Sequence, residues 1–408
     1  MNRRSKRKSV EQPMCKYGFC YQKNPEHRKK FRHPEAKLDQ KQANISDVSV
    51  SPNAEVTNIK PPAKKCRVSE DTDLNKDPVC LKEVSNGHKE KLEPKFSESV
   101  QDILKSMPKD FFDFWDFCSS VNDAKPEEYI LNSLIVIKCF AELGLHLVGV
   151  YDLLSKKLSK DKKVVVHCHY RYYYDPPELQ TVVKSDDKDL YHIGYFRDDP
   201  DQFPSVLVSN SATIGPKLTL KGDNIFAAMN WEITERLKKL KPKLQKKFST
   251  IQKNLQKLAA QKDYSLEKST PNTTARNKKV VSKTFNEFGI VVPVKNDIGY
   301  RPLPDSNAVI KSNLTKIVSA KDEDTRLNRE EKLDELLTNV QFANDECDYG
   351  MGFELGIDLF SFGDPYFHSH ILNILPLAYS LLNRPKYAEI IQFHLADRKK
   401  SVNLNTLG

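Results

Sequence analysis

Sixty consecutive residues, 36–95, contain no Phe, Tyr or Trp and are rich in Ser, Asn, Lys, Asp and Pro. Such a segment has too little apolar surface to offset the entropy of ordering it, so it is expected to be a disordered linker. Folded structure must therefore lie on either side of it. One candidate is a short N-terminal piece, the other the 313 residues from Phe96 onward.

Charge follows the same division. Residues 1–95 hold 22 Lys and Arg against 13 Asp and Glu, a balance of +9, whereas the remaining 313 hold 43 against 42. The net charge of +10 is thus a property of the arm. This excludes a uniformly basic nucleic-acid coat protein and points to a basic arm on a neutral globular body. Two basic clusters, Arg3-Arg4-Ser5-Lys6-Arg7-Lys8 and Pro61-Pro62-Ala63-Lys64-Lys65-Cys66-Arg67-Val68, look like nuclear import signals and place the chain in the nucleus. The most apolar stretch, Tyr129 to Tyr151, is interrupted by Lys138, Glu142 and His146, so no membrane span is expected. No apolar run follows the charged N-terminus, so no secretory leader is expected, and the eight cysteines are read as reduced intracellular thiols.

The body begins near Ser97. Val100, Ile103, Leu104 and Met107 have helical spacing, and Pro108 ends that helix. The aromatic run Phe111, Phe112, Phe114, Trp115 and Phe117 is expected to anchor the core. From Lys163 to Tyr174 the chain is β-branched and aromatic and reads as a strand turned by Asp175-Pro176-Pro177, with further strands at Leu179–Val183 and Tyr191–Phe196. Ile233, Leu237, Leu240, Leu244, Phe248, Ile251, Leu255 and Leu258 mark a long helical seam that Pro242 should split. Strands at Val280–Phe285 and Ile290–Val294 follow, then an amphipathic helix through Leu333, Leu336, Leu337 and Val340. A helical pair broken near Pro385 covers Ile371–His394. The fold class is α+β: a two-lobed helix and antiparallel-sheet body, with lobes at 96–230 and 231–408. Ahead of it come a basic arm (1–12), a compact piece (13–35) and the linker (36–95).

That compact piece carries Cys15, Cys20, His27 and His33 within 19 residues. Two thiolates and two imidazoles can close a tetrahedral zinc site, and a segment this short has no core of its own, so the metal would supply its folding energy. No gap of ~12 residues separates the Cys and His pairs, so it is not a DNA-reading finger, and no sequence-specific DNA binding is expected. The run Tyr17-Gly18, Cys20-Tyr21, Lys23-Asn24-Pro25, His27 and His33-Pro34 resembles the poly(ADP-ribose)-binding (PBZ) zinc finger family. The resemblance implies polymer contacts through Tyr21, Arg28 and Tyr17. Family members usually place five residues between the two cysteines, whereas four intervene here.

A second constellation, Phe342-Ala343-Asn344-Asp345-Glu346-Cys347-Asp348-Tyr349-Gly350-Met351-Gly352, crowds three carboxylates at the negative end of a helix expected to stop near Val340 to Ala343, with Gly350 and Gly352 as its terminating residues. Acidic residues at a helix end are usually solvated, and on spacing alone that reading prevails. Several other segments change the weighing: Tyr173-Tyr174-Asp175-Pro176-Pro177-Glu178, His192-Ile193-Gly194-Tyr195-Phe196-Arg197-Asp198, Gly222-Asp223-Asn224 and Asn296-Asp297-Ile298-Gly299-Tyr300-Arg301. Together with Phe342–Gly352 they resemble the histone PARylation factor 1 family, in order, over about Lys95 to Asp397. The resemblance implies an accessory factor rather than a free-standing enzyme. It would dock on the catalytic domain of DNA-break-activated poly(ADP-ribose) polymerases, which bind the NAD, and complete a joint active site that directs ADP-ribose to serine on histones and other proteins. Glu346 matches the family's base, Asp345 a residue that contacts the polymerase, and Tyr300 and Arg301 the pair that supports docking and holds the glutamate.

Two other readings compete with this one. A poly(ADP-ribose)-reading adaptor would use the finger alone and leave the carboxylates passive. A hydrolase using Asp345 and Glu346 is weaker, because adjacent residues seldom flank one bond from opposite sides. His167 and His169 read as a packed or solvated pair rather than a metal pair, and Cys347 as a small core residue. His368 and His370 have no assigned role. One outcome tests the finger directly: Cys20→Ala or His33→Ala removes a quarter of the ligand shell and should abolish both zinc stoichiometry and polymer binding, read by metal analysis and filter binding.

Overall fold

The computed structural model describes residues 100–121, 136–155, 168–400 and 404. The sequence-assigned arm, finger and linker, with Tyr17, Tyr21, Arg28 and the four metal ligands, lie outside the described residues, as does His167.

Two short helices open the body, α1 (Val100–Lys105) and α2 (Lys109–Val121), parted at Pro108 as expected. The aromatic run does form a core: Phe111 stacks on Tyr151 with centroids 4.2 Å apart, and Phe114 meets Phe226 edge-on at 5.4 Å. Strand β1 (Leu145–Leu147) and helix α3 (Val150–Leu154) follow, then β2 (Leu179–Ser185), β3 (Tyr191–Phe196), β4 (Val206–Ser211) and β5 (Thr219–Gly222). The five strands form an antiparallel meander in the order β1-β2-β3-β4-β5. One sheet face packs on the aromatic core, and the other is covered by a small cluster of Leu179, Phe196, Val206, Val208 and Leu218 with Phe288.

The strand expected over 163–174 is corrected where the structure describes it, from residue 168 onward. Residues 168–178 form successive turns, with Arg171 N–H donating to Cys168 O and Asp175 N–H to Tyr172 O, and Tyr170 has φ 54°. Their aromatic side chains are satisfied by tertiary packing instead of a ladder. Tyr172 stacks on His192 at 3.7 Å, and buried Asp175 accepts from Tyr172 N–H (2.9 Å) and the Thr181 hydroxyl (3.1 Å) while lying 2.8 Å from His192 Nε2. His169 is buried and pairs with Asp152 at 3.0 Å.

Pro242 splits the long seam as expected, ending α4 (Ile225–Leu237) and opening α5 (Pro242–Gln261) at its first helical position. Ile233, Phe248, Ile251, Leu255 and Ala259 join the first core, which therefore extends past the boundary expected at 230/231. A lobe boundary at that point would cut α4 in its middle.

Beyond α6 (Pro271–Lys279), the second core gathers a two-stranded sheet of β6 (Val280–Ser282) and β7 (Ile290–Val291), and α7 (Asn307–Val318). It continues with α8 (Glu323–Asp345), α9 (Gly350–Phe362), α10 (His368–Leu381) and α11 (Pro385–Ala396). The two small strands are shorter than the sequence indicated. Four side chains tie the cores: the Tyr379 hydroxyl donates to Glu178 (2.8 Å), Tyr173 to Gly363 O (2.9 Å), Tyr387 to Arg197 O (2.7 Å), and Arg276 clamps Asp198 at 2.8 and 2.9 Å. No described helix is long and apolar enough to cross a membrane.

Burial pushes the Glu178 carboxyl up to about 7, against the downward pull of the Tyr379 hydroxyl. Its folded pKa lies above the unfolded value, so this contribution to stability is fully present below about pH 4.5 and is lost as pH rises through about 7. Glu178→Gln should therefore flatten the stability profile over that window by up to ~1.4 kcal/mol per pH unit. Urea melts of wild type and variant at matched pH would test this, and parallel profiles would refute it.

Candidate functional site

The acidic motif lies where α8 hands over to α9. Helix α8 starts at Asp322, whose carboxylate accepts from Thr325 N–H at 2.8 Å, with Glu323 and Asp324 in the first turn suiting the positive end of the dipole. Leu333, Leu336, Val340 and Ala343 bury one face. The helix runs on to Asp345, two residues past the expected stop, and ends in a Schellman motif: Asp348 N–H donates to Ala343 O (2.8 Å) and Cys347 N–H to Asn344 O (3.1 Å). Cys347 occupies the left-handed position, φ 64°, where Gly is usual. It is half-exposed, so the core role expected for it is corrected.

Gly350 and Gly352 do not terminate α8; they belong to α9. A Cβ at Gly350 would come within 2.8 Å of the Tyr300 ring and 2.9 Å of Gly299 O, and Gly350 N–H donates to that same carbonyl at 2.9 Å. The glycine is needed for close approach of the loop before α7. That loop is shaped by Asn296 and Asp297, both left-handed (φ 53° and 63°), in a two-residue turn closed by Lys295 and Ile298.

Asp348 joins the two pieces. Its side chain is 10 % exposed; Oδ1 accepts from Gly299 N–H at 2.9 Å and Oδ2 from Arg301 Nη2 at 3.0 Å. The same Arg301 nitrogen donates to Glu346. One guanidinium thus serves two of the three carboxylates. Glu346 caps α8 with its side chain about a third exposed (34 %), Asp345 is exposed on the last helical turn, and Phe342, one turn back, is 55 % exposed. Asp345, Glu346 and Arg301 therefore share one surface region.

Tyr300 faces the other way. Its hydroxyl donates to Glu354 at 2.9 Å, and Ser282 donates to the other oxygen of that carboxylate at 2.6 Å. Burial raises the Tyr300 hydroxyl, the Glu354 carboxyl and, one helical turn on, that of fully buried Asp358. These two acids and Asp348 are the residues that sequence reasoning missed. The third carboxylate of the Asn-Asp-Glu-Cys-Asp run was the available signal for Asp348; Glu354 and Asp358, one helical turn apart, gave none. Among the described residues no group of three His, Cys, Asp or Glu side chains is placed to hold a metal.

The family model described as histone PARylation factor 1 matches residues 88–398, and that of the PBZ domain matches residues 12–36. The chain belongs to the histone PARylation factor 1 family. It is 43 % identical over 319 residues to histone PARylation factor 1 of Mus musculus, covering 76 % of this chain and 89 % of that one. Similarity to the Danio rerio protein of the same name is 43 % over 315 residues, covering 76 % and 88 %. A putative histone PARylation factor 1-like protein of Homo sapiens is 39 % identical over 333 residues, covering 80 % and 91 %. The α+β class and the N-terminal PBZ finger stand as read from the sequence.

A left-handed non-glycine residue costs ~1–2 kcal/mol, partly offset by the greater unfolded freedom of Gly. Cys347→Gly should therefore raise stability by about 0.5–1 kcal/mol, read by thermal melting; a loss instead would show that the cysteine side chain supports the junction.

Proposed function

We propose that this protein is an accessory factor that completes the active site of DNA-damage-activated poly(ADP-ribose) polymerases and directs ADP-ribose to serine, on histones among other targets. The observation that carries the reading is a carboxylate that is both held and reachable: Glu346 is fixed by Arg301 yet about a third exposed (34 %), next to exposed Asp345 and one turn on from exposed Phe342. A serine hydroxyl is a weak nucleophile until a positioned base takes its proton, and Glu346 is that base. Serine Oγ then bonds the ribose carbon as nicotinamide leaves with the electrons of the broken bond; the partner polymerase supplies the NAD. A carboxylate nearby also suits the positive charge developing on the ribose.

Asp345 contacts the polymerase. Arg301 aims the base, and Tyr300, anchored on Glu354, sets the path of the backbone that bears Arg301. On its own the chain is not an enzyme. The N-terminal finger holds zinc through Cys15, Cys20, His27 and His33 and binds poly(ADP-ribose) through Tyr21, Arg28 and Tyr17, retaining the body at damaged chromatin in the nucleus. The competing reading is a polymer-binding adaptor without catalytic contribution.

One assay separates the two. With full-length protein, histone, NAD and DNA-activated polymerase, Glu346→Gln should keep docking but lower serine transfer by roughly 10²-fold or more, the usual worth of a general base. Asp345→Asn should lose affinity instead. Full activity of Glu346→Gln at saturating concentration would establish the adaptor reading.

A further inference from the structure

The near-zero charge of the body conceals a separation. Between Glu235 and Asp263 there is no Asp or Glu but ten Lys and Arg, whereas α8 carries seven acidic and three basic residues. The basic run extends from the last turn of α4, through α5, to the C-cap of α5 at Lys262. Phe248, Ile251, Leu255 and Ala259 bury one face of α5 in the first core, and Lys243, Lys246, Lys253 and Lys257 are exposed on the opposite side. At 100° per residue these four fall within an arc of about 80°, and they span roughly 21 Å of helix.

Three of the five other lysines of the run are engaged: Lys238 with Glu235 at 2.7 Å, Lys247 with Glu142, and Lys262 with Asp113 at 3.1 Å. The four on the outer face have no carboxylate within ion-pair distance among the described residues. Keeping four like charges along one helix face without partners opposes helix stability. An external anion would remove that repulsion.

The chemistry of the face selects the anion. Its neutral members, Thr250, Asn254 and Gln261, are exposed polar side chains, and it presents neither an aromatic ring nor an arginine. Single strands and other nucleotide polymers gain much of their affinity by stacking bases on aromatic side chains, which this face cannot offer. Base edges and carboxylates are read best by the planar fork of Arg, also absent here. Lysines act as point charges that position a phosphate backbone without reading sequence. A duplex presents a line of such charges, one per ~1.7 Å of axis, long and dense enough to engage all four.

We propose that the outer face of α5 docks the phosphate backbone of duplex DNA, independently of sequence and separately from the Glu346 site. The face would hold the factor beside the DNA break that activates its partner, whether or not polymer has yet formed for the finger to bind.

Lysine acetylation of the full-length protein, read by mass spectrometry with and without a 30-base-pair duplex, tests this residue by residue. At low salt the duplex should lower the reactivity of Lys243, Lys246, Lys253 and Lys257 several-fold, and ~0.5 M salt should restore it. The variant K243Q/K246Q/K253Q/K257Q should melt like wild type, and the slope of log affinity against log salt should fall by about 3–4. Unchanged reactivity of the four lysines while Lys6 and Lys8 become protected would overturn the proposal and assign all DNA contact to the arm. Protection by poly(ADP-ribose) or polyglutamate but not by the duplex would overturn it in favour of that partner.

Discussion

The site rests on one buried carboxylate. Asp348 accepts the backbone N–H of Gly299 and a guanidinium N–H of Arg301, and so fixes both the path of a loop and the direction of a side chain. With its side chain only 10 % exposed, Asp348 would be costly to leave without those donors, by ~1–3 kcal/mol for each lost partner. That penalty holds the loop against the helix junction. Gly299 meets the demand from the other side: its φ of 126° and its approach to Pro293 O leave no room for a side chain. Arg301, held by Asp348, donates from the same nitrogen to Glu346. The Tyr300–Glu354–Ser282 contacts repeat the logic one layer deeper, tying the same loop to α9 and β6.

The wider fold makes this junction rigid. The second core is helical, and α9 is buried along almost its whole length, with Leu355, Leu359 and Phe360 fully enclosed. The first core is aromatic and sheet-based, and it reaches the second through side chains that span long sequence separations, such as Tyr379 to Glu178 and Tyr387 to Arg197. The Asp175-Pro176-Pro177-Glu178 turn belongs to both: Asp175 organises the sheet edge through His192 and Thr181, and Glu178 points to α10. The segment leading into it, residues 168–174, resembled a strand in the sequence and is turned instead.

That misreading shows where sequence legibility ended. Helices with long apolar periodicity were legible because burial of one face decides them; Pro242 and Pro385 marked their breaks for steric reasons that need no tertiary context. Residues 168–174 were illegible because tyrosine, which supplies four of the seven, favours strands on average, while here Tyr172 is held by His192 and Tyr173 by Arg398. Glu346, Asp345, Tyr300 and Arg301 were singled out by family resemblance, not by spacing. Arg301 and Glu346 are 45 positions apart, and no local rule joins them. Gly350 and Gly352 looked like a helix stop, yet close packing was the constraint that placed glycine there.

The three carboxylates of the motif differ in restraint and in access to solvent. Asp348 is engaged by Gly299 and Arg301 and is shielded from solvent. Asp345 is exposed on the last turn, free to meet a partner but with nothing to fix its angle toward a reacting hydroxyl. Glu346 alone combines restraint with access, since the Schellman motif fixes its backbone and Arg301 fixes its carboxylate while about a third of the side chain stays in solvent. A general base needs both properties, because proton transfer requires hydrogen-bond reach to the acceptor and an orientation that does not have to be found at each turnover. Sharing one guanidinium between Asp348 and Glu346 supplies the orientation without closing off the reach: the arginine holds the glutamate while about a third of its side chain stays in solvent.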